Sequence, residues 1–211
     1  MSVTTNPEKV QFWRKWTLRN AIALVLGYII AFSIAIVITI IGDLNTSEWG
    51  PPFTQTCWKI GEGVIIGLSI GFIQLRLLRK IFNVSSFWLY SIVIGFIIVE
   101  LIAGITCWRM EINRGDLSFL EGDPIGHTLM LTIAGLMIGI IQFPLLRKHF
   151  SRAAYWVLSS AVAWGISVLL TAIDTGSEIG VLLFFILGTL LYGAITGATL
   201  MWILVPKEIK N

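Results

Sequence analysis

Residues 21–41, 128–146, 153–173 and 179–205 contain no Asp, Glu, Lys or Arg. Each run matches the ~20 apolar residues that a helix needs to cross the hydrocarbon core of a bilayer. Two further runs carry charges. Residues 60–80 hold Glu62 and Arg76 near their ends, where the side chains can reach the headgroups, and residues 84–106 hold Glu100 well inside. The chain therefore reads as six membrane spans. Composition agrees, because only 13% of its 211 residues are charged and 56% are hydrophobic, whereas soluble domains carry about 25% charged residues. The expected fold is all-α: one integral membrane domain over 1–211, with helices at about 18–42, 60–80, 84–107, 127–148, 153–173 and 178–205. The first run follows a basic stretch, as a signal peptide would, but it is too long for the apolar region of one and no small-x-small cleavage site closes it.

Loops rich in Lys and Arg stay in the cytoplasm. With the N-terminus inside, the inner segments hold twelve of the fifteen basic residues, and only Lys59, Arg109 and Arg114 fall outside. Both termini are therefore expected on the cytoplasmic side of a cell inner membrane or thylakoid membrane. The net charge of +3 then reflects loop anchors, which also attract anionic lipid, and no nucleic-acid face is needed to explain it. Trp13, Trp16, Trp88, Trp156, Tyr155 and Trp202 read as an inner aromatic belt, with Trp49, Trp58 and Trp108 on the outer side. Trp164 falls between the belts and reads as a packing residue whose indole N–H bonds to a neighbouring helix.

Shifting the chain by 68 residues lays residues 67–82, GLSIGFIQLRLLRKIF, over residues 135–150, GLMIGIIQFPLLRKHF, with eleven identities in sixteen positions. A fainter copy in the last helix keeps Gly193 and Gly197 but has Leu200 where the others have glutamine. The sequences WVLSSA from Trp156 and WTLRNA from Trp16 supply a second element, which Trp88 joins. The unit reads as a hairpin, with an outward helix that opens on Trp and an inward helix that carries G-x-x-x-G-x-x-Q. Three parallel hairpins, pairing helices one with two, three with four and five with six, would pack with pseudo-threefold symmetry about the membrane normal. These motifs (G-x-x-x-G-x-x-Q, the L-R-[KR] end and the W-x-L-x-S start) resemble those of a group of functionally uncharacterised multi-pass bacterial membrane proteins, found mainly in cyanobacteria. The resemblance implies topology and lineage, and it carries no reaction. Pro144 and Leu200 depart from the pattern.

Glycines four residues apart share a helix face and let another backbone approach closely in lipid. Gly63, Gly67 and Gly71, then Gly135 and Gly139, then Gly193 and Gly197, form three such faces. Gln74 and Gln142 fall on the same faces, either sealing the seam by hydrogen bonds or lining a polar path. Glu100 is the ionisable residue deepest in a span. It is a proton or cation site, with Gln74, Gln142 or His127 nearby, or else a structural carboxyl bonded to backbone or to Arg109 or Arg114. Cys57 and Cys107 lie at the outer surface in near-identical contexts, Thr-Cys-Trp-Lys and Thr-Cys-Trp-Arg, and are candidates for a disulfide on an oxidising side.

No catalytic or phosphate-binding motif is present. His127 and His149 bracket opposite ends of the fourth helix, so no metal site is expected, and nothing identifies a cofactor. Enzymatic activity is not indicated. Three function classes fit. The first is a non-catalytic accessory subunit, assembly factor or scaffold, contacting the bilayer and a membrane-protein partner through outer loops or lipid-facing helices. The second is a small parallel-repeat transporter or channel using Glu100 with Gln74 and Gln142. The third is an intramembrane enzyme or a pigment or lipid binder. A solid seam or a polar cavity around these residues separates the first class from the second.

Overall fold

The computed structural model describes residues 7–42, 51–114, 124–171 and 177–204, apart from the side chains at 35, 38–42, 51–59, 103–114, 124 and 127. Six helices and no strands occur among the described residues: α1 Pro7–Gly42, α2 Pro51–Leu78, α3 Phe87–Arg114, α4 Pro124–Arg147, α5 Ala154–Thr171 and α6 Glu178–Ile203. Five include stretches long and apolar enough to cross a membrane, namely Pro7–Ile34, Ile60–Leu78, Thr128–Arg147, Ala154–Thr171 and Glu178–Ile203. The described part of α3, Phe87–Ile102, is apolar but shorter. The chain is thus an all-helical, multi-pass integral membrane protein.

Several helices outrun the apolar segments that announce them. α1 starts at Pro7 instead of near residue 18, α2 starts at Pro51, and α3 continues to Arg114. Three helices begin with proline, whose fixed φ suits the first helical position, where its missing N–H costs nothing. Helix formation therefore extends into segments that hydropathy assigns to loops. With 36 residues, α1 is about 54 Å long at 1.5 Å per residue, well beyond the ~30 Å of a hydrocarbon core. α6 starts on Ser177, whose hydroxyl accepts the Gly180 N–H at 3.1 Å and so satisfies one of the free donors of the first turn. Helix α4 runs on through Pro144 to Arg147.

Each helix packs on its neighbours in sequence, and α6 returns to pack on α1, so the six form a closed ring. Two tight turns, between α2 and α3 and between α4 and α5, mark a basic end, together with the start of α1 and the end of α6. The N–H groups of Ile81 and Phe82 both reach the Leu78 carbonyl, just as those of His149 and Phe150 reach Leu146. Phe82 and Phe150 meet edge to face with centroids 5.1 Å apart, which ties the two turns together. Arg79 closes the first turn by donating to the Ser86 hydroxyl at 2.7 Å.

The centre of the ring is filled by large side chains. Trp16, Trp88 and Trp156 are 0%, 0% and 1% exposed, with Trp156 5.5 Å from Trp88 and 6.5 Å from Trp16 between ring centroids. These three do not form an interfacial belt. Two turns further along their helices, Phe96 and Trp164 meet edge to face at 5.1 Å beside the buried Leu24. Of the residues assigned to the inner belt, Tyr155 and Trp202 are exposed, and Arg152 lies 5.1 Å over the Trp202 ring. Ile22, Leu26, Ile29, Leu182, Leu183 and Leu187 are also exposed; such faces meet lipid hydrocarbon.

Candidate functional site

The polar residues singled out by the sequence converge at the level of the three buried indoles. Gln74 is 1% exposed and Gln142 0%. The Trp88 indole N–H donates to Gln74 Oε1 at 3.0 Å, and the Trp156 indole N–H donates to Gln142 Oε1 at 2.7 Å. The two bonds span the same fourteen-residue separation, so a tight turn returns each tryptophan to the glutamine one turn before it. Gln74 Nε2 also donates to Asn20 Oδ1 at 2.9 Å and to the Tyr192 hydroxyl at 3.1 Å. Asn20 in turn donates to the Trp16 carbonyl at 2.8 Å. Gln142 Nε2 makes a longer contact, 3.5 Å, to the Trp88 carbonyl. The network ties α1, α2, α3 and α6 around one amide, and α3, α4 and α5 around the other.

The third indole finds a partner that the sequence reading missed. Leu200 is fully buried and offers no acceptor, but the Trp16 indole N–H donates to Thr196 Oγ1 at 3.0 Å. Thr196 precedes Leu200 by one helical turn and so shares its face. The threonine hydroxyl meanwhile donates to the Tyr192 carbonyl at 2.7 Å. A valine at 196 would keep the shape and strand the indole N–H, at a cost of roughly 1–3 kcal/mol for a buried unmade bond. Thr196→Val is therefore expected to lower the unfolding free energy in detergent by that amount, while Thr196→Ser leaves it within about 0.5 kcal/mol. Denaturant titration of helicity checks both.

The repeated glycines decide how closely the helices approach. A Cβ on Gly67 would stand 3.1 Å from Val93 Cα, and one on Gly71 3.1 Å from Leu89 Cα, while one on Gly63 would stand 3.0 Å from Phe96 Cβ. At Gly135 it would meet the Ser160 carbonyl oxygen at 2.6 Å, and at Gly139 Val157 Cα at 2.8 Å. Gly193 faces the Thr17 carbonyl oxygen at 2.7 Å, and Gly197 faces Trp16 Cδ1 at 2.8 Å. The repeated residues thus join α2 to α3, α4 to α5 and α6 to α1. The hairpins α1–α2, α3–α4 and α5–α6 expected from the sequence are not the pairs these glycines seal.

Glu100 stands apart from this seam. Twelve residues beyond Trp88 on α3, it lies about 18 Å further along the bundle. It is half-buried and within electrostatic reach of Tyr28 on α1, as is Glu62. The structure does not bring it to Gln74 or Gln142. The side chains of His127, Cys57 and Cys107 lie outside the described residues, as do those of Trp58 and Trp108 and all of Trp49, so the disulfide and the outer belt receive no structural account. No group of three or more His, Cys, Asp or Glu suited to a metal occurs among the described residues.

A cavity of about 170 Å³ near Tyr28 is bounded by Trp164, Ser167, Thr171 and Thr189, among others. Ser167, Thr171 and Thr189 spend their hydroxyl protons on carbonyls of their own helices, Trp164, Val168 and Ile186 respectively. The Trp164 indole N–H is buried with no hydrogen-bond partner, so the bond expected of it to a neighbouring helix is not made. Its ring is held by packing, 5.1 Å from Phe96 and 4.8 Å from Tyr192.

No protein-family model, curated protein or solved structure matches the chain.

Proposed function

We propose that the chain is a non-catalytic membrane scaffold or accessory subunit of a membrane complex, built to hold a rigid six-pass ring. The observation that supports this reading is the filled centre: the buried Trp156 indole packs edge-on against Trp16 and tilted against Trp88, with both glutamine amides committed to bonds within the seam. A transport path needs polar groups that exchange partners with a moving solute. Here the indole donors and amide acceptors satisfy each other, and Glu100 lies about three turns from them.

Three repeated units make the ring in this proposal, each a glycine-bearing helix followed by a tryptophan-bearing helix. α2 with α3 and α4 with α5 are contiguous units, and α6 completes the third with α1. This arrangement is circularly permuted relative to chain order. It explains why Trp16 bonds to a residue near the far end of the chain. The basic turns and both termini are assigned to the cytoplasmic side by their Lys and Arg content, in a cell inner membrane or thylakoid membrane. The outer segments and the lipid-facing helices are then the surfaces available to a protein partner.

The test is flux into proteoliposomes. Purified protein is expected to pass protons and monovalent cations no faster than empty vesicles, with Glu100→Gln indistinguishable from the parent. Facilitated flux abolished by Glu100→Gln would replace the scaffold reading with the transporter. In parallel, gently solubilised membranes should yield the chain in a stoichiometric complex of larger mass than the monomer.

A further inference from the structure

Besides the sealed centre, the ring carries an open groove on its outer face between α1 and α2, with a volume of about 470 Å³. Its mouth at the basic end is formed by Arg19, Arg76 and Lys80, and its walls include Ile22, Leu26 and Ile30. Arg76 lies in the last turn of α2 and Lys80 in the tight turn that follows it, and both line the groove opposite Arg19 on α1. From Arg19 to Ile30 the groove rises eleven residues, about 17 Å. That depth is close to half of a ~30 Å hydrocarbon core, the thickness of one leaflet.

Two features make the mouth look for an anion. None of the three cations forms a hydrogen bond or ion pair among the described residues, and Glu8, the acidic residue nearest in sequence to Arg19 on α1, stands about 17 Å away along that helix. Both arginines of the mouth are also a feature of one copy only, whereas Lys80 has Lys148 as its equivalent. Arg19 aligns with Ser91 and Ser159, and Arg76 with Pro144 and Trp202, so the repeated architecture does not require either arginine. Guanidinium groups at the edge of hydrocarbon are costly without a counter-charge, and their planar donors suit phosphate oxygens.

From this charge complementarity and leaflet-long apolar wall, we infer that the α1–α2 groove is a binding site for one anionic phospholipid of the leaflet at the basic end. Its phosphate lies among Arg19, Arg76 and Lys80, and an acyl chain runs along Ile22, Leu26 and Ile30. The inference is independent of the scaffold reading, since a transporter could carry the same site.

Native mass spectrometry of the full chain in nonionic detergent tests it, with phosphatidylglycerol titrated against phosphatidylcholine of the same acyl chains. The parent is expected to retain one phosphatidylglycerol in preference. The double variant Arg76→Gln/Lys80→Gln should weaken retention about 25-fold, at roughly fivefold per charge. Arg147→Gln/Lys148→Gln, which removes equal charge from the other basic turn, should change it less than about twofold. Leu26→Trp, which fills the wall without touching charge, should also weaken it. All substituted side chains except Leu26 are charged and exposed, and unchanged unfolding midpoints will confirm that each variant folds. Equal losses from both charge pairs, no preference over phosphatidylcholine, or full retention in Leu26→Trp would each overturn the site.

Discussion

Gly135→Leu is expected to cost about 3 kcal/mol or more of unfolding free energy and to yield a protein that aggregates when extracted from the membrane. The first added atom alone would stand 2.6 Å from the Ser160 carbonyl oxygen, 2.7 Å from Trp164 Cδ1 and 3.0 Å from the Ser160 carbonyl carbon. Two of these are backbone atoms of α5, which can yield only if the helix itself moves away from α4. Overpacking a tight interface costs roughly 1–3 kcal/mol even when side chains can shift, and here backbone stands in the way as well as the Trp164 ring. Separating the helices would also stretch the Trp156–Gln142 bond, which is 2.7 Å long. Gly61 provides the control, because a Cβ there meets nothing within 4 Å. Gly61→Ala should be neutral or stabilising by up to about 1 kcal/mol through helix propensity. Denaturant titration of helicity in detergent measures both, and equal stability of the two variants would remove close helix approach from the account.

Gln74→Leu is expected to cost about 2–4 kcal/mol, the larger of the two glutamine effects. The substitution strands the Trp88 indole N–H, the Asn20 side-chain oxygen and the Tyr192 hydroxyl together. Each buried group left unmade costs roughly 1–3 kcal/mol in water-soluble proteins. Polar pairs within membranes average nearer 0.6 kcal/mol, because the unfolded helices find other partners in the bilayer, so the sum is discounted. Gln142→Leu strands one indole and a carbonyl whose contact was already 3.5 Å long, and about 1–2 kcal/mol is expected. A double-mutant cycle of Gln74→Leu with Trp88→Phe should show a coupling of about 1 kcal/mol. A smaller effect at Gln74 than at Gln142 would contradict the branched network around Asn20 and Tyr192.

Much of the helical content could be read directly, since uncharged runs and an internal match at an offset of 68 residues survive in any context. The glycine faces and the glutamines at equal offsets were legible for the same reason: 3.6 residues per turn puts positions four and seven apart on one side of a helix. What periodicity cannot supply is the identity of the neighbour. A repeated Trp followed by repeated glycines suggests a hairpin in chain order, whereas the close contacts run from glycine helix to the next tryptophan helix and, for α6, back to α1.

The tryptophans show the same limit. Trp16, Trp88 and Trp156 sit near the starts of apolar runs, where an interfacial belt and a buried layer have identical sequence signatures. Only the partner distinguishes them, and the partners were visible in outline: a glutamine fourteen residues before Trp88 and another fourteen before Trp156. For Trp16 the signal is weaker still, because Thr196 replaces the missing glutamine from one turn earlier. Helix starts at Pro7, Pro51 and Pro124 were likewise written in the sequence as prolines suited to a first helical position, beyond the apolar runs that hydropathy follows.

The most direct test of the sealed centre is thiol labelling in native membranes, in a background with Cys57 and Cys107 replaced by serine. Ser91 and Ser160 are 0% and 1% exposed at the level of the indoles, while Ser86 is exposed at the basic turn. A small, water-soluble thiosulfonate reagent applied to opened vesicles should modify Ser86→Cys rapidly and leave Ser91→Cys and Ser160→Cys unmodified until the protein is denatured. Labelling of Ser91→Cys or Ser160→Cys at a rate approaching that of Ser86→Cys would mean that water reaches the centre of the ring, and the solid-seam account would be wrong.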